Sequence, residues 1–337
     1  MSQQTRRARR REATRRKSSQ GGRKGYLAGI GVVVLVLGTA LGWLLWPQGS
    51  TSSFSLPGPP QHIHGLAADP HDPGTLWVAT HRGLMRRVEG AGWEQVGQDN
   101  DYMGFAAHPT EPGVLYTSGH PGPGSRLPNP VGLRVSRDVG KTWENVSLAG
   151  EADFHTMAIS PANPRLIYGI NSHDGGLYRS GDGGQTWDNF GASEAQVFSL
   201  TPHPVEPRTV FAATADGLLV SHEAAQPGTW EFVSETLERA PVTAVALHPD
   251  DPSMLYAFVA VPGLGLMRSR DGGADWERVG LSLAIQEVGL YISISPANPD
   301  LVYVATNRLN IYRSTGGGTT WASEMELGEA VESTGTE

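Results

Sequence analysis

Between residues 62 and 327 the chain alternates short apolar runs with turn residues in a pattern that recurs six times. Each recurrence begins with a small-apolar run closed by x-Pro: GLAADP, GFAAHP, TMAISP, SLTPHP, AVALHP and SISP. A run rich in β-branched and aromatic residues follows, such as TLWVAT, VLYTSG, LIYGIN, TVFAAT or LVYVAT, and then GLYRS-type residues. The units end near Trp93, Trp143, Trp187, Trp230, Trp276 and Trp321, at intervals of 43 to 50 residues. Short apolar runs bounded by Gly, Pro, Asp and Ser predict four strands per unit. One such sheet cannot bury both of its faces, so neighbouring units must cover it. The expected fold is all-β: a closed six-bladed β-propeller over 62–327, a single domain with the first strand of each unit innermost.

Four of the tryptophans close a shared octapeptide: SRDVGKTW (136–143), SGDGGQTW (180–187), SRDGGADW (269–276) and STGGGTTW (314–321). The pattern S-x-D-x-G-x-T-W resembles the Asp-box, or BNR, repeat. In that reading Asp138, Asp182 and Asp271 are structural: each accepts backbone N–H bonds in a tight turn, while Gly supplies unusual backbone angles and Trp packs between blades. Asp275 replaces Thr in the fifth repeat and Gly316 replaces Asp in the sixth; the first and fourth keep little beyond their Trp. Asp-box propellers include sialidases, other glycosidases, sortilin-type receptors and photosystem assembly factors. The stretches HIHG (62–65), SGHPGPGS (118–125) and DFH (153–155) are similar to those of bacterial propellers labelled glycosylhydrolase or exo-sialidase. No Arg-Ile-Pro-like motif precedes His62, and no sialidase catalytic residue carries over onto this chain. Fold alone does not give function.

Ahead of the repeats, residues 26–46 (YLAGIGVVVLVLGTALGWLLW) hold no charge, and 21 residues of helix span about 31 Å, a bilayer's hydrocarbon thickness. Arg23 and Lys24 precede this run and no charge follows until Asp69, so the positive-inside rule keeps the N-terminus cytoplasmic. The expectation is a basic cytoplasmic tail (1–25), a transmembrane signal anchor (26–46) in a bacterial-type cytoplasmic membrane, a Pro/Gly/Ser linker (47–61), an extracytoplasmic propeller and a flexible C-terminal tail (328–337).

Charge sharpens this division. The net charge of −8 hides a tail with ten Lys/Arg and one acid, which leaves 16 basic and 33 acidic residues for the remainder. An acidic body argues against nucleic acid as partner. The absence of cysteine removes disulfides, thiolate catalysis and zinc–thiolate sites.

Candidate chemistry lies in the histidines. Aligned on the Pro that closes the first strand, His64, Met103, His155, Phe198, Thr243 and Leu290 form one column, and His62, Asp101, Asp153, Gln196, Pro241 and Val288 another. His81 and His120 are equivalent at the end of the second strand, with His173 one residue past its equivalent, Ser172. In a propeller these positions open on one face. His62, His64, His81, His120, His155 and His173 all belong to repeats 1–3, and the Gly/Pro-rich loop 119–132, with Arg126 and Asn129, should lie over the same mouth. His108, His203 and His248 occupy turns and read as structural. The expected site is a ligand-binding face made of the six histidines and Arg126. His62, His64 and His155 are the candidate ligands of a divalent metal such as Zn²⁺; a metal-free His–Asp network is the alternative. Three functions follow: a module binding a glycan or peptide; a glycoside hydrolase-like enzyme with Asp101 and Asp153 as catalytic acid and base, or a metal-bound water; and an assembly scaffold for envelope proteins.

Overall fold

The computed structural model describes residues 62–193 and 195–326, together with a short strand at Glu329–Ala330. The basic tail, the apolar run 26–46 and the linker up to residue 61 lie outside the described residues. Among the described residues no helix is long and apolar enough to cross a membrane.

The described chain forms a six-bladed β-propeller in which each blade is one contiguous, antiparallel sheet. Blade 1 comprises β1 (Ile63–Ala68), β2 (Thr75–Thr80), β3 (Gly83–Val88) and β4 (Gly92–Val96). Blade 2 comprises β5 (Asp101–Ala107), β6 (Leu115–His120), β7 (Leu133–Ser136) and β8 (Glu144–Ser147). Blade 3 comprises β9 (Phe154–Ile159), β10 (Ile167–Asn171), β11 (Gly176–Ser180) and β12 (Asp188–Ala192). Blade 4 comprises β13 (Val197–Pro202), β14 (Val210–Thr214), β15 (Gly217–Ser221) and β16 (Trp230–Phe232). Blade 5 comprises β17 (Val242–Leu247), β18 (Leu255–Val259), β19 (Gly265–Ser269) and β20 (Glu277–Arg278). Blade 6 comprises β21 (Gly289–Ile294), β22 (Val302–Thr306), β23 (Ile311–Ser314) and β24 (Ala322–Glu326), and adds a fifth strand, β25 (Glu329–Ala330). That last strand falls in the stretch assigned to the C-terminal tail, so blade 6 runs slightly further than the repeat period implies.

Burial follows the repeat. Six apolar clusters among the described residues each join two neighbouring blades. Trp77 and Leu84 of blade 1 pack with Tyr102, Phe105 and Leu115 of blade 2. Ile63, Leu76 and Met85 of blade 1 pack with Tyr303, Ile311 and Met325 of blade 6, which closes the ring. The seam is reinforced by Arg87 Nε to Glu324 Oε1 at 2.6 Å and by the Ala68 N–H donating to Ser293 Oγ at 2.9 Å.

The octapeptide turns lie between the third and fourth strands. Asp182 Oδ1 accepts from the N–H groups of Gln185 and Thr186, and Oδ2 accepts from Thr186 Oγ1 at 2.6 Å. Asp138 accepts from Thr142 in the same way, and Asp271 from the N–H of Asp275. In blade 6, where Gly316 stands at this position, its backbone carbonyl accepts from Thr319 Oγ1 instead. The turn glycine has a second role. Gly184 (φ +88°) and Gly273 (φ +99°) dock on the preceding blade, where a Cβ would sit 2.2 Å from Leu133 Cδ2 and 2.3 Å from Val233 Cγ1. Only glycine tolerates both the backbone angle and the approach.

One feature of the inner strands was not expected from the sequence. In all six blades the register between the first and second strands shifts near the start of the first. The shift skips His64, Met103–Gly104, His155, Phe198, Thr243 and Leu290. A β-bulge leaves its extra residue unpaired and re-aims its side chain. Strict alternation therefore does not set where this column points; the bulge does.

Candidate functional site at the mouth of blades 1–3

The start of each inner strand and the turn after each second strand lie at the same end of a blade, because Ile63 pairs with Thr80 and Thr80 with Gly83. The octapeptide turns lie at the other end. Within this mouth, bulged His64 and His155 line a channel cavity of about 130 Å³ together with Phe105, Phe198 and Tyr291.

Two His–Asp clusters form there, each spanning a blade junction. In the first, His64 Nε2 lies 2.9 Å from His81 Nε2, and one of the two nitrogens carries the shared proton. His81 Nδ1 is 2.9 Å from Asp101 Oδ1, an ion-pair contact outside hydrogen-bond alignment. Burial, reinforced by the imidazoles of His81, His155 and His62, lowers the His64 pKa to about 3, so its ring is neutral at neutral pH. The exposed His62 ring stands 5.5 Å from His81 and 6.2 Å from His64, and burial followed by His81 lowers its pKa as well.

In the second cluster, Asp153 is 7% exposed and its Oδ2 is the focus. It accepts from Ser172 Oγ at 2.6 Å and from His155 Nε2 at 2.8 Å, and His120 Nε2 stands 3.4 Å away. The Asp153 backbone N–H donates to Asn171 Oδ1. His120 Nδ1 meets Asn129 Oδ1 at 2.6 Å, which ties the long loop to the site. Burial alone would raise the Asp153 pKa. The hydrogen bonds from His155 and Ser172, with the nearby imidazoles, outweigh burial and hold the carboxyl below its ordinary range.

The structure thus brings His62, His64, His81 and Asp101 together, and separately His120, Asp153 and His155. The set His62, His64 and His155 is not one ligand group: among the described residues the atoms that converge are those of His64, His81 and Asp101, and of His120, Asp153 and His155. The reason is the bulge, which turns His64 toward its own blade's second-strand turn. Two further site residues stay outside. His173 is exposed, and among the described residues its ring has no partner; only its backbone N–H bonds Asn171. Arg126 is exposed and its guanidinium makes no hydrogen bond or ion pair among the described residues; the loop reaches the site through Asn129. Ser172, Phe198 and Tyr291 belong to the mouth and carried no usable signal, since serine and aromatic residues recur throughout the repeats. His108, His203 and His248 act in turns, their Nδ1 atoms accepting N–H bonds from residues two and three positions on.

No family model matches the chain. A xyloglucanase, Xgh74A, of Acetivibrio thermocellus is 28% identical over 227 residues, covering 53% of this chain and 26% of that protein. A xyloglucanase of Hypocrea jecorina is 27% identical over 159 residues, 41% of this chain and 19% of that one. Among solved structures, the GH74 xyloglucanase from Xanthomonas campestris superposes with a TM-score of 0.54 at 18% identity, over 79% of this chain and 45% of that one. An ancestral GH74 enzyme gives 0.53 at 17%, over 82% and 40%. The structures establish the fold. The chain spans about a quarter of the Acetivibrio relative and under half of each of these two structures. Together these likenesses show a β-propeller similar to those of xyloglucanases.

Proposed function

We propose that this chain is a glycan-binding propeller, held on the outer side of a bacterial-type cytoplasmic membrane by the segment 26–46, with its binding mouth on blades 1–3. The observation that carries this reading is the paired His–Asp clusters beside one channel cavity. Imidazoles and carboxylates there can accept and donate to sugar hydroxyls, and Phe198 and Tyr291 add apolar ring faces within the same cavity. The xyloglucanase relatives make branched β-glucans the first ligands to try. Binding is favoured over hydrolysis by the state of Asp153. Acid–base cleavage needs two carboxyl groups within reach of the glycosidic oxygen, whereas Asp153 Oδ2 already accepts from His155 and Ser172 and Asp153 Oδ1 is buried.

The test is affinity electrophoresis and calorimetry of the full chain with xyloglucan and unbranched β-glucans, alongside a reducing-sugar assay. Retention that disappears in His64→Ala and His155→Ala, with no sugar released, supports the reading. Turnover lost in Asp101→Asn and Asp153→Asn would instead establish the hydrolase alternative, and retention by no glycan removes the proposal.

A further inference from the structure

We infer that His120, Asp153 and His155 form a binding site for one divalent transition-metal ion of the zinc class, placed at the junction of blades 2 and 3. This deepens the reading of the mouth as a binding site and rests on it.

Three donors converge there: one nitrogen each from His120 and His155 and one Asp153 oxygen, all within 4.8 Å of one another. The surroundings orient them as outer-shell groups do around metal ligands. Asn129 Oδ1 accepts from His120 Nδ1–H, which orients the ring so that Nε2 faces Asp153 Oδ2 at 3.4 Å. A divalent ion seated between these atoms would take the place of protons: His155 Nε2, which donates to Asp153 Oδ2 at 2.8 Å in the ion-free site, would give up that proton to ligate. Ser172 Oγ donates to the same oxygen, Oδ2, and fixes the carboxylate's orientation. Asp153 supplies an independent sign: its Oδ1 is buried and meets no hydrogen-bond partner among the described residues, although the side chain is only 7% exposed. A buried acceptor left empty is rare in a finished network.

Two imidazoles and a carboxylate suit Zn²⁺ or Co²⁺ rather than Ca²⁺ or Mg²⁺, which prefer all-oxygen shells. Three protein ligands leave one position of a tetrahedral ion open. His120 and His155 are 38% and 45% exposed, so that position faces solvent at the mouth, where a hydroxyl-bearing ligand can reach it. The neighbouring cluster of His64, His81 and Asp101 also converges within 4.8 Å, but its close contacts run through both nitrogens of one ring, with His64 Nε2 and His81 Nε2 already 2.9 Å apart. His81 meets Asp101 with Nδ1 and His64 with Nε2, so no single nitrogen of its ring serves both partners.

The experiment uses the full chain in mild detergent, free of any histidine tag and stripped with chelator. Zn²⁺ is titrated against a competing chromophoric chelator, and Co²⁺ is followed by its visible absorption. One equivalent of Zn²⁺ binds in the micromolar range or tighter. His120→Gln and His155→Gln weaken it at least about a hundredfold, and Asn129→Ala about tenfold, as outer-shell losses do. His81→Gln leaves it unchanged. The tested rings are solvent-accessible, so these variants keep the fold, which is checked by their metal-free melting curves. Absence of uptake, uptake indifferent to His120→Gln and His155→Gln, or uptake lost in His81→Gln overturns the site. Glycan retention is measured on the same samples with and without Zn²⁺. Metal uptake without glycan retention supports the metal site and removes the glycan reading. Glycan retention without metal uptake does the reverse.

Discussion

Blades 1–3 and blades 4–6 share one backbone plan and differ at the mouth. Both halves bulge at the same place in the inner strand. At that place the first half carries His64, Met103 and His155, and the second Phe198, Thr243 and Leu290. Two positions earlier Asp101 and Asp153 face Gln196, Pro241 and Val288. In the second half these positions serve the scaffold: Thr243 Oγ1 donates to the Gly289 carbonyl of the next blade at 2.6 Å, and the Val288 N–H donates to Asn307 Oδ1. In the first half the same positions, Met103 apart, hold ionisable groups that meet other side chains of the mouth, within a blade (His64 with His81, Asp153 with His155) and across a junction (Asp101 with His81, Asp153 with His120). A repeat architecture supplies identical positions, and substitution in half of them gives the proposed mouth its ionisable groups without disturbing the ring.

That comparison can be broken or sharpened experimentally. The largest effects should fall on features common to both halves. Gly184→Ala in blade 3 and Gly273→Ala in blade 5 should each cost about 2–5 kcal/mol, from backbone strain and overpacking together, because both glycines dock on the preceding blade. Chemical denaturation of the two variants should give similar losses; a loss in one half alone would break the shared scaffold.

Next come changes that separate the halves. Asp153→Ala leaves His155 and Ser172 without their acceptor and should cost about 1–3 kcal/mol, whereas Gln196→Ala, its exposed counterpart, should stay within about 0.5 kcal/mol. His64→Leu, which gives blade 1 the residue type of blade 6, should weaken glycan retention at least tenfold, or about 1.4 kcal/mol, with little change in melting temperature. Equal loss from Thr243→Val would place the binding surface elsewhere.

A pH slope tests the mouth of the first half separately. The folded-state pKa of His64 is depressed to about 3 from an ordinary value near 6.5. The unfolded chain therefore binds the extra proton first, and stability falls as pH drops below about 6.5, levelling near 3. Melting temperature should decline between about pH 7 and pH 4, and His64→Leu should flatten part of that decline. An unchanged slope would mean that the ring is not shielded as described.

Much of the fold was legible because a propeller writes its period into tryptophans, x-Pro closures and turn glycines. The columns of the site were legible for the same reason: aligning repeats put His81 with His120 and Asp101 with Asp153. Which members meet was not legible. His62 and His64 do stay neighbours, their rings 6.2 Å apart, but grouping His155 with them as one ligand set fails: the bulge between Ile63 and Gly65 sets His64 against His81, and His155 meets Asp153. The actual pairs, His81 with Asp101 and His120 with Asp153, join the end of one blade's second strand to the start of the next blade, a contact that depends on how tightly adjacent inner strands approach. Gly65, whose added Cβ would stand 2.8 Å from Phe105 Cβ, marks such an approach. A glycine in a strand signals this only once the neighbour is known.

Among the described residues, every blade draws all its strands from one uninterrupted segment, and first and last blades meet through packed side chains and the Ala68 N–H to Ser293 Oγ bond, with no strand shared. No strand is lent across the seam, so the join between Arg87 and Glu324 is topologically equivalent to the other five. The chain could begin at any blade junction and still close. Circular permutants opened between blades 4 and 5 should therefore assemble the same wheel, with the histidine mouth intact and moved away from the chain ends.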